Sequence, residues 1–208
     1  MTLTALLVAT LVIVAITMVA TVVIGRDAGW IAAVGLAVLA VLVGLRVPDV
    51  IEPGAVVREA VPWMPTLDIA LRLRLDGLAA LFLIIVLGIG SLVMAYSARY
   101  LSERSVHRHT GYFAWMLLFA FAMTGLVLAD DLVMLFVFWE LTTLCSFFLI
   151  NRSGRRASAP AVRTLLVTAL GGLALLFAVV LIITRTGTTV VSEALADGAW
   201  QTDPGFTA

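Results

Sequence analysis

The sequence predicts an all-α integral membrane protein with about six transmembrane helices and a short extracytoplasmic β-hairpin. Three observations predict it. Of the 208 residues, 62% are hydrophobic and only 12% charged, with a mean hydropathy of +1.14; soluble domains carry roughly a quarter charged residues. Apolar runs of about twenty residues recur along the chain, the length a helix needs to cross ~30 Å of hydrocarbon. Between the second and third of these runs the pattern changes to strict alternation, the signature of a half-buried strand.

Leu3 to Ile24 is uncharged and reads as the first span. It lacks a basic leading segment and exceeds the apolar length of a cleaved signal peptide, so it is expected to stay in the mature protein. Arg26 and Asp27 mark a short turn, and Ala28 to Leu45 is the second span, near the lower length limit for crossing. Residues 1–45 therefore form a first unit. Residues 46–76 form a second, which holds four of the six prolines and nine charged residues and so lies outside the hydrocarbon. Within it Leu67, Ile69, Leu71, Leu73 and Leu75 alternate with Asp68, Ala70, Arg72, Arg74 and Asp76. A partner strand is expected around Ala55–Val57, with the turn near Val61–Pro65. This segment either lies on the helix ends or offers an edge to another subunit.

Residues 77–184 hold the remaining spans: Gly77–Ala98, Thr110–Ala129, Leu132–Ile150 and a sixth that begins near Pro160, which suits a first helical turn. The two-residue link Asp130–Asp131 forces the fourth and fifth spans to run antiparallel. Residues 185–208 read as an aqueous tail. Six spans put both termini on one side. The loops at 25–27, 99–111 and 151–163 carry eight of the thirteen arginines, so the positive-inside rule places them in the cytoplasm and both termini outside. Net charge is zero, which gives no footprint for nucleic acid. The single cysteine, Cys145, sits inside an apolar run and allows no internal disulfide.

One acidic residue lies well inside an apolar span. Glu140 stands near the middle of ADDLVMLFVFWELTTLCSFFLI, residues 129–150. A charge at the centre of a spanning helix costs about 2.5–3.5 kcal/mol on insertion scales, so such a residue reads as a proton or ion relay; the alternative is a structural glutamate bonded across helices. Thr143 shares its helical face, and Thr164, Thr168, Gly171 and Gly172 form a small and polar stripe on the sixth span that would leave room beside a carboxylate. Asp130 and Asp131 stand at the start of the fifth span, where carboxylates cap free N–H groups or collect ions at a mouth. The thirteen cationic side chains are all arginine, in loops or at span ends, so the sequence supplies Glu140 with no cation inside the hydrocarbon. The two histidines have no metal-ligand spacing with Cys145. No phosphate-cradling glycine loop, cysteine cluster or zinc-protease pattern occurs, so no cofactor, metal or soluble-type active site is expected.

FAMTGLVLADDLVMLFVFWELTTLCSFFLI, with VTALGGLALL after it and LRLRLDGLAALF and YSARYL before it, resembles the N-terminal part of MrpA, the large subunit of multisubunit Mrp cation/proton antiporters. That subunit is similar in turn to the antiporter-like subunits of the complex I membrane arm. The resemblance covers roughly residues 65–195, and GTTVVSEAL at its end favours MrpA over the complex I relatives. It implies a partial antiporter-like fold in which Glu140 matches the glutamate that pairs with a lysine on the seventh helix and relays protons along a hydrated mid-membrane path. This chain has no lysine to match. The resemblance therefore implies a fragment, a split-gene product or an incomplete subunit. Its partners would be lysine-bearing helices of the same subunit, the B to G type subunits of an Mrp complex and the bilayer.

The expected activity is exchange of cytoplasmic Na⁺ for external protons by a secondary transporter, not an enzyme, in the cell membrane. The alternatives are a proton-pumping subunit of a complex I-like or hydrogenase-linked complex, and a non-transporting assembly subunit.

Overall fold

The first apolar run forms α1, Leu3–Ile24, whose N-terminus is capped by the Thr2 hydroxyl accepting from the Ala5 N–H at 3.1 Å. The computed structural model of the protein describes residues 2–52, 54–64, 69–100, 106–152 and 157–197. A 3-10 turn at Gly25–Asp27 reverses the chain, and Gly25 adopts φ +61°, a left-handed conformation that glycine takes without strain. The second helix, α2 (Ala28–Gly44), folds back along α1, so that a side chain at Gly35 would meet Ile13.

The hairpin follows. Strands β1 (Val57–Met64) and β2 (Ile69–Leu75) pair antiparallel from Val57↔Leu75 to Met64↔Ile69, with an irregularity between Pro62 and Met64. The alternation of β2 behaves as expected, with Leu73 and Leu75 buried. The first strand corrects the expectation: it begins where Ala55–Val57 ends and continues through Met64, across most of the supposed turn. Pro62 misleads because it resembles a turn residue, yet proline is tolerated on an edge strand, which β1 is. The link at 65–68 lies outside the described residues.

Asp76 starts α3 (Gly77–Tyr100) by accepting the Ala79 N–H at 2.9 Å. Then come α4 (Val106–Leu128), α5 (Leu132–Asn151) and α6 (Ser158–Thr186). The link between α3 and α4 is shorter than the 99–111 loop expected, because helix extends into both of its ends. Gly187, at φ +73°, ends α6 and returns its N–H to the Ile183 carbonyl at 2.9 Å. Within the expected tail, residues 191–197 form a short helix, α7 (Val191–Asp197), anchored as described below. Arg104, Arg155, Arg156 and residues 198–208 lie outside the described residues.

Among the described residues, five helical stretches are long and apolar enough to cross a membrane, and the first, Leu3–Asp49, contains both α1 and α2. The chain is thus a multi-pass membrane protein. Alternation of the helices is visible in what meets at each end. Thr4, the hairpin, Asp130–Asp131 and the 189–192 segment gather at one end. At the other end the Thr21 and Thr110 hydroxyls share a hydrogen bond of 2.8 Å, and Phe113 packs against Gly29. The core lies among α1 to α4, around Leu36, Leu83, Leu87, Phe113 and Leu117, each 1% exposed or less. Aromatic packing joins α5 to it: Trp115 stacks on Phe148 at 4.1 Å, and Phe138 lies against Gly125, where any side chain would collide with the ring. Helix α6 stands at the margin and leaves Leu166, Val167, Leu170, Leu173 and Phe177 exposed.

Candidate functional site

Glu140 sits eight residues into α5, about 12 Å from its first turn. The neighbouring turn of α6 carries Gly172, and a side chain there would collide with Glu140 Oε1. This close approach is possible because glycine removes the Cβ at the crossing. Oε1 is buried and, among the described residues, has no hydrogen-bond partner. An unsatisfied buried acceptor of this kind is uncommon and calls for an explanation, functional or otherwise.

The hydroxyls expected near it are differently engaged. Thr143 is 8% exposed, and its hydroxyl donates to the Trp139 carbonyl at 3.4 Å. Thr164 and Thr168 lie exposed on α6, and their hydroxyls donate to the Pro160 carbonyl at 3.0 Å and the Thr164 carbonyl at 2.8 Å. Of the small stripe on α6, Gly172 is the member that meets Glu140, while Thr164 and Thr168 are exposed and a side chain added at Gly171 would meet nothing within 4 Å. Gly172 is one residue from Gly171 and one turn from Thr168, a distinction that the i, i+4, i+7, i+8 spacing does not draw.

Asp130 and Asp131 are built into the fold. Asp131 is wholly buried and caps α5: its Oδ1 accepts the N–H groups of Val133 (3.0 Å) and Met134 (3.2 Å). Its Oδ2 accepts from Arg72 Nη1 at 3.0 Å and from the Thr189 hydroxyl at 2.8 Å, and Arg72 Nη1 also donates to that hydroxyl oxygen at 2.9 Å. Asp130, 5% exposed, receives the Ser192 N–H at 3.0 Å and the Ser192 hydroxyl at 2.9 Å, so it caps α7. Asp131 thus caps α5, whereas Asp130, expected at the same helix start, accepts from the first turn of α7. Asp130 also borders an open cavity of about 530 Å³ beside Arg58, Glu59, Arg72, Ser192 and Glu193, but both its carboxylate oxygens are already engaged.

Sequence reasoning missed two contacts at this end. Arg72 reads only as the polar face of a strand, and nothing local announces its partner 59 residues away. Glu59 accepts the Thr4 N–H at 3.0 Å and so adds a long-range cap to α1. Partial burial pushes the Glu59 carboxyl up, but hydrogen bonds from the first turn of α1, led by the Thr4 N–H, hold it below its ordinary value of 4.5. Among the described residues no group of three His, Cys, Asp or Glu side chains is placed to hold a metal ion.

Comparison with known proteins places this arrangement in context. Residues 129–205 match the family described as NADH:quinone oxidoreductase/Mrp antiporter, transmembrane part, and residues 63–113 match the complex I chain 5 N-terminus family. The antiporter subunit mnhA2 of Staphylococcus epidermidis is 36% identical over 172 residues, which is 82% of this chain and 21% of the relative. The solved Mrp complex from Dietzia sp. DQ12-45-1b contains a chain 52% identical to this one, with a TM-score of 0.91 over 99% of this chain and 22% of that one. Respiratory complex I from Thermus thermophilus shares the fold, at 23% identity and a TM-score of 0.69 over 92% of this chain and 39% of its counterpart. The chain spans about a fifth of the length of the curated relatives it matches.

Proposed function

Because the chain belongs to the NADH:quinone oxidoreductase/Mrp antiporter family, as an MrpA-like sequence, we propose that it forms part of a cation/proton antiporter subunit in which Glu140 relays protons at mid-membrane. The observation that carries the reading is the Glu140 carboxylate itself, halfway along a spanning helix, pressed onto a glycine and with one oxygen buried and unbonded. A structural glutamate would hold its helices together by hydrogen bonds, and Oε1 makes none among the described residues. Such an oxygen is free to take a proton, or a cationic partner from outside the described chain, without first breaking a bond.

In this reading the subunit exchanges cytoplasmic Na⁺ for external protons within the cell membrane, with the hairpin end outside. The arginine-rich loops support that orientation. Thr143 lies three residues past Glu140 on α5, on the same helical face, and would offer a hydroxyl beside the relay. Thr164 and Thr168, exposed here, would meet water or further helices. Other Mrp-type subunits, of the B to G type, and lysine-bearing helices of the same subunit would complete the path. The shared fold with complex I keeps a second reading open, a proton-pumping subunit of a respiratory complex, since the same carboxylate would serve it.

The test is Glu140→Gln in the complete complex. Na⁺-dependent proton flux in everted vesicles is expected to fall to background while the complex still assembles on native gels. Wild-type flux in that variant would remove Glu140 from the mechanism. Flux that is lost but normally responds to a redox substrate, not to Na⁺, would favour the respiratory reading.

A further inference from the structure

The Asp131 carboxylate does more than cap α5. Its first oxygen is used by the helix's own N–H groups, and its second is gripped by Arg72 from β2 and Thr189 from the segment after α6. The backbone repeats the grip. The Asp130 N–H donates to the Arg72 carbonyl at 2.8 Å, and the Leu132 N–H donates to the Thr189 carbonyl at 2.8 Å. Three segments distant in sequence therefore close on one helix end, through a carboxylate that is wholly buried and a guanidinium whose side chain is 21% exposed. Glu140 lies nine residues further on, about 13.5 Å along the axis and on the opposite side of the helix. A helix held this firmly at its start cannot slide or rotate without breaking an ion pair, and the crossing at Gly172 tolerates little displacement.

We infer that Arg72 is a positioning residue which, through Asp131 and Thr189, fixes the register of α5 and thereby where the Glu140 carboxylate stands against α6. Its consequence for transport rests on the Glu140 reading; its consequence for the helix does not. The clamp joins the hairpin and the residues that follow α6 to the relay helix, so anything that moves either of them bears on Glu140.

Cys145, the sole cysteine of the chain, gives a reporter, because it lies on α5 five residues past Glu140 and is fully buried. In the complete complex, its alkylation by N-ethylmaleimide is followed by mass spectrometry alongside Na⁺-dependent proton flux. Asp131→Asn keeps a capping oxygen while removing the charge, and Arg72→Gln removes the cation. Both are expected to speed Cys145 labelling about fivefold or more through local opening, and to lower maximal flux with little change in apparent Na⁺ affinity. Arg72→Lys, which keeps the charge and one of the two contacts, falls between them and wild type. Glu140→Gln loses flux while Cys145 labels at the wild-type rate. Should Arg72→Gln fail to assemble, Asp131→Asn and the milder Thr189→Val decide in the same way. Wild-type labelling in the assembled clamp variants overturns the inference, whatever their flux. Retained flux in Glu140→Gln overturns the relay reading and leaves the labelling result to judge the clamp alone.

Discussion

At the scale of single residues, the meeting of Glu140 and Gly172 ties sequence to chemistry. A glycine in an apolar helix is ordinary, whereas a glutamate in the middle of a spanning one is not. Together they give a carboxylate set directly on a helix backbone, where the missing Cβ is what admits Oε1. Gly172→Ala is therefore expected to displace the Glu140 side chain and lower coupled proton flux by about tenfold or more, since small misplacements of a reacting group are costly. The control is Gly171→Ala, one residue away, where an added methyl meets nothing within 4 Å and flux should stay near wild type. Equal effects of the two substitutions would show that the crossing itself, not the carboxylate, is what the glycine serves.

At the scale of elements, the hairpin is held by groups that belong to other elements. Its inner row reads Val57, Glu59 and Val61 opposite Leu75, Leu73 and Leu71, an apolar face interrupted by one acid. That acid is placed over the first turn of α1, where it satisfies the Thr4 N–H. Its pH dependence follows from the sign of its shift. The folded carboxyl sits below 4.5, so the tie is intact above that value and is lost as pH falls through the lower, folded value. Exchange protection of the Thr4 amide should accordingly drop only below the ordinary carboxyl value of 4.5, and Glu59→Gln should remove that pH step while leaving a weaker acceptor. Protection that does not change with acid would contradict the tie. Glu59 also explains why β1 was hard to read. Apolar periodicity marks a strand by what it buries, and here one inward position carries a charge whose partner is 55 residues away. The helices suffered no such ambiguity, because runs like Leu3–Ile24 and Gly77–Ala98 are decided by length and lack of charge alone. The same local logic recognised Asp131 as a cap but not Arg72 as its counter-ion, and it found Glu140 but not which member of the α6 stripe faces it.

At the scale of the whole molecule, the described bundle is uneven. Helices α1 to α4 enclose a buried core around Leu36, Leu83 and Phe113, whereas α6 presents a long apolar and threonine-bearing face outward. Glu140 lies at the boundary between the two parts, on the helix that joins core to margin. That placement suits a group that takes protons from one side and responds to charges supplied by helices or subunits packed on the other. It also separates the duties of the two ends of α5. The start is clamped to the hairpin and to the segment before α7, and the middle carries the carboxylate. The central claim is that this carboxylate changes protonation during turnover. Infrared difference spectroscopy on the complete complex, with the carboxyl signal assigned by its loss in Glu140→Gln, measures this directly. The relay predicts a Glu140 band that changes reversibly when Na⁺ is added or withdrawn at constant pH. A band that is present but identical in both conditions, in a complex that is transporting, would contradict it.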